Sequence, residues 1–402
     1  MKILILSHAA GTPEIGPNMR TYFLGMNLIK QGHQVYIVGS GVFHKYKISP
    51  LQRNKYTAKE VEGISYHWLP TFNYTKRNYQ QVLNQIDYVF KLWKFRKKWL
   101  AINPDVVIIS SPPPFAIFMG IFIAKKCNAK LSYEIRDLWP EIIQELGNFS
   151  SNHPYLKLLR YTVKKIYLKA DGIVSVKPGD LAYLEENYMV KGKTTYIPNG
   201  FDHKNINDEP FKHDILSSNS FKVIYTGALS NYYAIAYLLR AAEKLKETHP
   251  EIKIIVVGDG DDKETYLKIK NEKDLNNVEF MGFLPKKNML SIIRQGDVAF
   301  LGLRDTKANR FGISTNKLYE YMYAKKPIIA SYRTDYDLVE ESNCGLSVEP
   351  ESGEAIYQAI IALYKMPMSE REKLGVNGYE YLLKKHTFEI ITKKYLKFIN
   401  SI

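Results

Sequence analysis

Lys317 and Glu320 stand three positions apart at the start of a predicted helix, in the stretch FGISTNKLYEYMYAKKPIIAS. The N–H groups at a helix N-terminus carry positive partial charge and favour an anion such as a phosphate. Lys317 would add a full positive charge there. Glu320, one turn later on the same face, would accept hydrogen bonds from two neighbouring hydroxyls such as those of a ribose. The pair indicates a nucleoside-diphosphate site.

The residues just before this helix are of types that cap helix N-termini: Ser314, Thr315 and Asn316. They leave an alternative open, because an ordinary capped helix whose dipole Glu320 complements would show the same pattern. Taken alone, these residues favour the two interpretations about equally.

Asp137 is a second candidate, in the segment YEIRDLWPE, directly after the predicted strand KLSYEI. Ligands of open α/β sheets bind beyond the carboxyl ends of the strands, so this position favours a functional role. The alternative is an ion pair between Arg136 and Asp137 at the surface, which would contribute little to stability. Glu141, one helical turn further on, is the reserve candidate.

Several glycines follow predicted strands and would allow a backbone to approach a diphosphate. Gly16 lies in GTPEIGPNMR, which is not the GxGxxG fingerprint of a dinucleotide site. Gly258 and Gly260, in VVGDGDD, are predicted to border the nucleotide. The Asp-x-Asp in that segment is interpreted as a tight turn, because no other oxygen ligands cluster nearby, and no metal is expected.

The segment GFLP is predicted to pass the base, with Phe283 and Leu284 presenting backbone groups to its edge. A loop in which Phe283 is simply packed is the alternative.

The elements that must position these residues are short strand-like runs alternating with helical patterns. In the first half the strands are KILILS, QVYIVGS, DVVIISS, KLSYEI and GIVSV, with helices near 17–31, 79–101, 115–126 and 155–170. After the Pro/Gly/Asn-rich linker YIPNGFDHKNINDEP come KVIYTGAL, KIIVVGDG, VEFMGF, VAFLGL, PIIAS and GLSVEP.

Continuous apolar strands separated by helices predict parallel sheets covered on both faces. We therefore expect two doubly wound, Rossmann-like α/β domains facing a central cleft, over residues 1–203 and 204–385. The last helix, within 386–402, is expected to cross back and pack on the first domain.

The composition is that of a globular protein: 402 residues, 45% hydrophobic, with a formal net charge of +15. No apolar run reaches the roughly 18 residues that span a bilayer. The first residues, MKILILS, resemble a strand rather than a signal peptide. Cys127 and Cys344 form no disulfide or zinc framework. A cytoplasmic location is expected.

The charge is unevenly placed. Residues 1–200 carry 27 Lys and Arg against 13 Asp and Glu, a net charge of +14, whereas residues 201–402 carry 29 against 28, a net charge of +1. This asymmetry predicts an anionic partner for the first half, because a generally basic protein would spread the excess over both halves.

Two basic segments in the first half show amphipathic patterns. In YVFKLWKFRKKWL, lysines 91, 94 and 98 form a stripe separate from an apolar stripe, which comprises Tyr88, Leu92, Phe95 and Trp99. In YLKLLRYTVKKIYLK, basic residues 157, 160 and 164 oppose Leu156, Leu159, Val163 and Ile166. This pattern favours a helix lying on anionic lipid. The alternative is a helix that packs on the sheet with its lysines in solvent.

The order GDG, FMGFL, GDVAFLGL and NKLYEYMYAKKPIIAS resembles the donor half of the retaining GT-B glycosyltransferases of family four. GPNMRTYFLGMNLIKQGHQVYIV is similar to that family's first loop and helix. RDLWPE is similar to a segment of its fucosaminyltransferase-like branch, which acts in O-antigen and capsule assembly. The resemblance covers nearly the whole chain, and RDLWPE with NKLYEYM are its most specific motifs.

The resemblance implies a GT-B fold and transfer of a sugar, with an N-acetyl amino sugar expected, from a UDP-sugar to a polyprenyl-diphosphate-linked saccharide. It implies catalytic roles for Asp137, Arg136 and Lys317, with Asp137 at the acceptor hydroxyl or the transferred sugar. The donor would meet Gly16, Arg20, Gly227, Gly258, Gly260, Phe283, Leu284, Ser314, Thr315, Asn316, Lys317 and Glu320. No cofactor is expected.

The chain departs from the family pattern at two places. Most members carry a glutamate eight positions before the counterpart of Glu320, where this chain has Gly312. Many carry an Arg and a Lys in the loop that here reads GALSNYYAIAYLL, which has neither. Lys317, helped by Arg20 or Arg310, then becomes the expected counter-charge for the leaving diphosphate.

Three other functions compete with glycosyl transfer. A nicotinamide oxidoreductase is disfavoured by the missing GxGxxG. A nucleic-acid-binding protein would show steeply salt-dependent binding, and nucleic acid is not the expected partner. A nucleotide-sugar epimerase of the same fold would release free sugar without an acceptor. The expected partners are the UDP-sugar, the lipid-linked acceptor and an anionic membrane surface, reached as a peripheral protein on the inner face of the plasma membrane.

Overall fold

The computed structural model describes residues 1–16, 18–44, 48–74, 79–147, 149–190 and 192–402. The chain forms two compact domains. The N-terminal domain contains Met1–Asn199 and Phe388–Ile402, and the C-terminal domain contains Gly200–Thr387. The chain thus changes domain a few residues before position 203 and returns just after 386.

The N-terminal domain has eight strands: β1 (Lys2–Leu6), β2 (Gln34–Ser40), β3 (Thr57–Val61), β4 (Ile64–Leu69), β5 (Val106–Ser110), β6 (Lys130–Ile135), β7 (Gly172–Ser175) and β8 (Thr194–Tyr196). Its first helices are α1 (Arg20–Ile29), α2 (Tyr79–Lys94), α3 (Arg96–Ile102), α4 (Ile117–Cys127), α5 (Glu141–Leu146), α6 (Pro154–Lys169) and α7 (Gly179–Tyr188). The strands β3, β4 and β8 were not predicted from the sequence. The first helix was expected from Pro17, which lies outside the described residues.

The eight strands form one sheet in the order β3-β4-β2-β1-β5-β6-β7-β8. All pairs are parallel except β3 with β4, which form an antiparallel edge. β1 and β5 are buried almost throughout, because helices cover both faces of the sheet centre.

The C-terminal domain has six strands: β9 (Phe221–Thr226), β10 (Ile252–Val257), β11 (Val278–Gly282), β12 (Val298–Gly302), β13 (Ile328–Ser331) and β14 (Gly345–Val348). Its helices are α8 (Asp214–Ser217), α9 (Ile235–Thr248), α10 (Lys263–Glu272), α11 (Met289–Arg294), α12 (Lys307–Arg310), α13 (Asn316–Tyr323), α14 (Leu338–Glu341), α15 (Gly353–Lys365) and α16 (Met368–Lys385). The sheet is parallel, in the order β11-β10-β9-β12-β13-β14. Two Rossmann-like α/β domains are therefore confirmed.

The last helix, α17 (Phe388–Ser401), returns to the N-terminal domain as predicted. Phe388, Ile391, Tyr395 and Ile399 are buried in that domain's core together with residues of β1, β2 and α1. Along the described ranges, no helix has the length and apolar character to cross a membrane.

The first basic segment, predicted within one helix over 79–101, forms the two helices α2 and α3. Phe95 between them is half-buried, and the other side chains of the two predicted apolar stripes face inward. Tyr88, Leu92 and Trp99 are at most 1% exposed, and Leu156, Leu159, Val163 and Ile166 are fully buried. The prediction that these side chains meet lipid is wrong, because they supply the apolar layer that covers the sheet.

Candidate functional site

Glycines directly after β9 and β10 bring two strand ends into close contact. Gly227 has φ +131° and Gly258 has φ +151°, conformations that L side chains rarely adopt. A Cβ on Gly258 would lie 1.7 Å from the carbonyl oxygen of Gly227, and one on Gly227 would lie 2.1 Å from Cε of Lys317. Only glycine fits either position.

Helix α13 points its N-terminus at the end of β9. Tyr321, fully buried on this helix, accepts a hydrogen bond from the backbone N–H of Thr226 at 3.0 Å, which fixes the helix against the strand. The helix begins at Asn316, and the Thr315 side chain makes no capping hydrogen bond to any described residue. Thr315 is therefore not the side-chain cap of this helix, and the choice between a ligand site and an ordinary helix start stays a prediction.

Lys317 lies in an aromatic pocket at this helix start. Its Nζ donates to the Tyr225 hydroxyl at 2.6 Å and lies 3.2 Å from the centre of the Tyr233 ring. Burial lowers the pKa of Lys317 well below its usual value, and the nearby Glu320 carboxylate opposes that shift. A bound diphosphate would add negative charge beside the Lys317 ammonium group.

Glu320 is only 9% exposed, and its carboxylate accepts a hydrogen bond from Nζ of Lys286. The Lys286 side chain is 67% exposed, so it can leave the carboxylate at little cost in packing. A ribose approaching Glu320 would compete with Lys286 for the same oxygen.

The loops that follow β10 and β11 carry other residues of the predicted donor site. Phe283 is 63% exposed, so the alternative of a packed Phe283 is wrong, and Leu284 beside it is half-buried. A Cβ on Gly260 would lie 2.3 Å from the carbonyl oxygen of Leu229. The Lys263 N–H donates to the Gly260 carbonyl oxygen at 3.2 Å, which agrees with a turn in this segment. Over the described ranges, no group of three or more His, Cys, Asp or Glu side chains could hold a metal.

Two other predicted residues of this domain are engaged locally. Ser314 is half-buried just before α13. Arg310 pairs with Asp305 at 3.6 Å, so its guanidinium already has a counter-charge. Its role as a helper of Lys317 stays a prediction.

In the N-terminal domain, Arg136 and Asp137 follow β6 and are half-buried. The Arg136 backbone N–H donates to the Ser111 hydroxyl at 3.2 Å. Burial lowers the pKa of its guanidinium, whose Nε has no hydrogen-bond partner among the described residues. An unpaired buried donor beside Asp137 is a place where a ligand oxygen would be stabilised.

A second carboxyl group stands at the neighbouring strand end. Asp180, 1% exposed in the first turn of α7, accepts from the Ser175 hydroxyl at 2.5 Å. Burial raises the pKa of Asp180 to about 6; Ser175 and the charge of Lys177 lower it, and the charges of Asp137 and Glu141 raise it further. Glu141 accepts from the hydroxyl of Tyr183 at 2.8 Å.

Arg20 has an internal role that the sequence did not indicate. It forms an ion pair with Glu134 at 3.0 Å, with side chains 3% and 1% exposed. It also donates to the carbonyl oxygens of Pro198 at 2.6 Å and Ile197 at 3.1 Å. Gly16, half-buried with φ +144°, donates its N–H to Thr12. Contact of Arg20 or Gly16 with a donor stays a prediction.

Sequence reasoning missed the residues that surround the predicted ones: Tyr225, Tyr233, Lys286, Glu134 and Asp180. Only one signal pointed towards them. The family's basic residues are missing from the loop GALSNYYAIAYLL, and Tyr233 of that loop now faces Lys317. The contacts of Tyr225, Lys286 and Glu134 join segments far apart in the chain.

Two protein-family models match the chain. Residues 16–205 match "Glycosyltransferase Family 4", and residues 207–381 match "Glycosyl transferases group 1". Together the two matches extend over most of both domains.

Two relatives are uncharacterized glycosyltransferases of Methanocaldococcus jannaschii. One is 23% identical over 245 residues, which are 60% of this chain and 60% of the relative. The other is 25% identical over 230 residues, 53% of this chain and 54% of the relative. The chain thus matches somewhat more than half the length of each.

Among solved structures, sucrose-phosphate synthase from Thermosynechococcus elongatus has a TM-score of 0.76 at 18% identity, covering 100% of this chain and 98% of that one. Anabaena HepE in complex with UDP-glucose has a TM-score of 0.67 at 17% identity, covering 100% of both chains. A glycosyltransferase from Rickettsia africae has a TM-score of 0.68 at 18% identity, covering 100% and 98%. These TM-scores, over nearly the whole of each chain, show a common fold.

Proposed function

The chain is a member of the GT-B glycosyltransferases, with a family 4 domain followed by a group 1 domain, and we propose that it transfers a sugar from a UDP-sugar to a saccharide carried on a polyprenyl diphosphate. The observation that carries the proposal is the environment of Lys317. Lys317 stands half-buried at a helix N-terminus, held by Tyr225 and Tyr233, where glycines bring the ends of β9 and β10 close to it.

The donor would lie with its diphosphate on the N-terminus of α13 and Lys317, and with its ribose on Glu320. Charge grows on the diphosphate as the sugar leaves. The helix dipole and the Lys317 ammonium stabilise that charge, and the stabilisation is larger in a desolvated site than in water. The UDP and UDP-glucose named for Anabaena HepE support a UDP-sugar.

In the N-terminal domain, Asp137 would contact the acceptor hydroxyl or the transferred sugar, with Arg136 beside it. The likeness of RDLWPE to the fucosaminyltransferase-like branch supports three further features of the proposal. They are retention of configuration, an N-acetyl amino sugar as donor, and a role in O-antigen, capsule or other surface polysaccharide synthesis. The acceptor would be met at the inner face of the plasma membrane.

The first test compares Lys317→Ala with the wild type in titrations with UDP and with uridine. Loss of a charge-assisted contact is expected to weaken UDP binding by about tenfold or more, because such bonds contribute roughly 1.5–3 kcal/mol. Uridine, which has no phosphate, should bind nearly as before. Equal losses for both ligands would remove Lys317 from the diphosphate site.

The second test concerns the acceptor side. Asp137→Asn should collapse turnover while UDP affinity changes by less than about tenfold, equivalent to roughly 1.4 kcal/mol. Arg136→Gln is the companion variant, since it removes the charge next to Asp137. Wild-type turnover in Asp137→Asn would exclude that carboxylate from the mechanism. Release of free sugar without an acceptor would instead favour an epimerase.

A further inference from the structure

Helix α2 exposes a continuous apolar stripe. Its members recur every three or four residues and therefore lie on one face of the helix. They are Tyr79 (68% exposed), Leu83 (43%), Ile86 (39%), Phe90 (67%) and Trp93 (36%). We refer to these five side chains as the α2 stripe. Soluble proteins expose single apolar side chains commonly, but an aligned row of five marks an interaction surface.

The orientation of α2 is fixed by the polar groups on its other face. Asn84 is fully buried, and its side-chain amide donates to the Thr71 hydroxyl at 3.0 Å and to the Phe72 carbonyl at 2.6 Å. Tyr88, 1% exposed, donates its hydroxyl to the Val38 carbonyl at 2.7 Å. Rotating the helix to bury the stripe would break these buried hydrogen bonds, so the stripe stays outward.

The apolar surface continues onto the neighbouring helices. The Trp93 ring lies 4.9 Å from the Phe122 ring of α4, measured between centroids. Helix α4 packs against both α2 and α6. Further side chains exposed on α4 and α6 are Phe118 (36%), Leu158 (45%), Tyr161 (55%) and Leu168 (60%).

Positive charges surround this surface. Exposed basic residues at the ends of α2, α3 and α4 are Lys94, Arg96, Lys97, Lys98, Lys125 and Lys126. On α6 they are Lys157, Lys164, Lys165 and Lys169. The single acidic residue of α2 is Asp87, which accepts from the Phe72 backbone N–H at 2.8 Å and pairs with Lys91.

We propose that the N-terminal domain inserts the α2 stripe into the interface of an anionic lipid bilayer, with the surrounding lysines and arginine on the lipid headgroups. An apolar face rimmed by Lys and Arg and carrying Trp and Phe matches the chemistry of that interface. A second copy of the chain fits less well, because it would bring two positively charged rims together.

Insertion of the α2 stripe would hold the protein at the membrane that carries the proposed lipid-linked acceptor. The purpose of this inference therefore rests on the proposed function. Its test needs no sugar chemistry. Failure of UDP binding would therefore overturn the proposed function alone, and failure of vesicle binding would overturn this inference alone.

A natural reporter is present. Of the four tryptophans, Trp68 and Trp99 are buried and Trp139 is half-buried, so Trp93 is the exposed one. The full chain is mixed with vesicles of phosphatidylcholine containing 0 to about 40% phosphatidylglycerol, with bromine atoms on the acyl chains as contact quenchers. Fluorescence should be quenched as the anionic fraction rises, and Trp93→Phe should lose most of that quenching.

The deciding variant is Phe90→Ser, with Met368→Ser as its matched control. Both side chains are 67% exposed, but Met368 lies in the C-terminal domain, on α16. Insertion predicts that Phe90→Ser lowers the vesicle partition coefficient about tenfold or more, given the transfer free energy of a Phe side chain. Met368→Ser should leave it unchanged. Both variants should keep the wild-type melting temperature, because neither side chain is buried.

Salt separates insertion from charge attraction. At 1 M salt the Debye length falls to about 3 Å, which removes most of the contribution of the basic rim. The wild type should keep measurable binding there, and Phe90→Ser should not. Three results would overturn the inference: no quenching at any anionic content, equal binding by Phe90→Ser and Met368→Ser, or a concentration-dependent dimer that Phe90→Ser dissociates.

Discussion

Replacing Glu134 by glutamine should destabilise the N-terminal domain severely. The change keeps the shape of the side chain but removes the charge that faces Arg20 in an ion pair whose side chains are 3% and 1% exposed. The Arg20 guanidinium would then remain buried without a counter-charge. Breaking a buried pair in this way costs about 3–5 kcal/mol.

That free energy corresponds to a large change in melting temperature. The domain comprises residues 1–199 and 388–402. For a domain of roughly 200 residues, each kcal/mol lowers the melting temperature by about 2–4 °C, so a decrease of roughly 6–20 °C is expected. The Pro198 and Ile197 carbonyl oxygens would still accept hydrogen bonds from the Arg20 guanidinium. The decrease in melting temperature should therefore lie near the lower end of this range.

Tryptophan fluorescence suits the measurement, because all four tryptophans lie in the N-terminal domain. They are Trp68, Trp93, Trp99 and Trp139. Glu14→Gln is the matched control, since Glu14 pairs with Lys59 at 3.4 Å with side chains 74% and 58% exposed. Losing that pair should cost less than about 1 kcal/mol. Equal melting temperatures for the two variants would refute the reasoning.

Three other predictions concern the two candidate sites. Gly258→Ala should abolish measurable UDP binding, because its Cβ would lie 1.7 Å from the Gly227 oxygen. The control Gly32→Ala, at φ +81° with nothing within 4 Å of its Cβ, should bind UDP normally in the same titration. Normal UDP binding by Gly258→Ala would show that the strand ends can separate. Burial lowers the pKa of Lys317, and a bound diphosphate would raise it again, so UDP binding should be coupled to proton uptake at this residue. Titration heats should then differ between two non-phosphate buffers of different ionisation enthalpy for the wild type but not for Lys317→Ala. Equal wild-type heats at every pH tested would contradict this. Asp180, with its pKa raised from 3.8 to about 6, favours its protonated form in the folded state, so its contribution to stability is present below about pH 4 and lost as pH rises through about 6. Relative to the wild type, Asp180→Asn should therefore gain roughly 2–2.5 kcal/mol in unfolding free energy between pH 4 and pH 7, measured by denaturant titration. A difference that does not change with pH would refute this.

Local sequence was sufficient for much of the fold. All six strands of the C-terminal domain were predicted, because parallel strands buried on both faces appear as short β-branched runs bounded by turn residues. The return of α17 was also predicted, since the helix follows a complete second domain. In the N-terminal sheet β3, β4 and β8 were missed. β3 is largely exposed, and β8 has only three residues, so neither shows a strong apolar pattern.

The sequence by itself determined that Lys317 and Glu320 share one face at a helix start, because they are three residues apart and both lie on α13. Tertiary structure decided their surroundings. Lys317 meets Tyr225, which is 92 positions away, and Arg20 meets Glu134, which is 114 positions away. It also decided that α2 exposes a second row of apolar side chains: the helix turns Asn84 and Tyr88 inward and leaves Phe90 outward. Periodicity measures hydrophobicity along one helix, whereas the buried hydrogen-bond partners of that helix come from distant segments, and they fix its rotation.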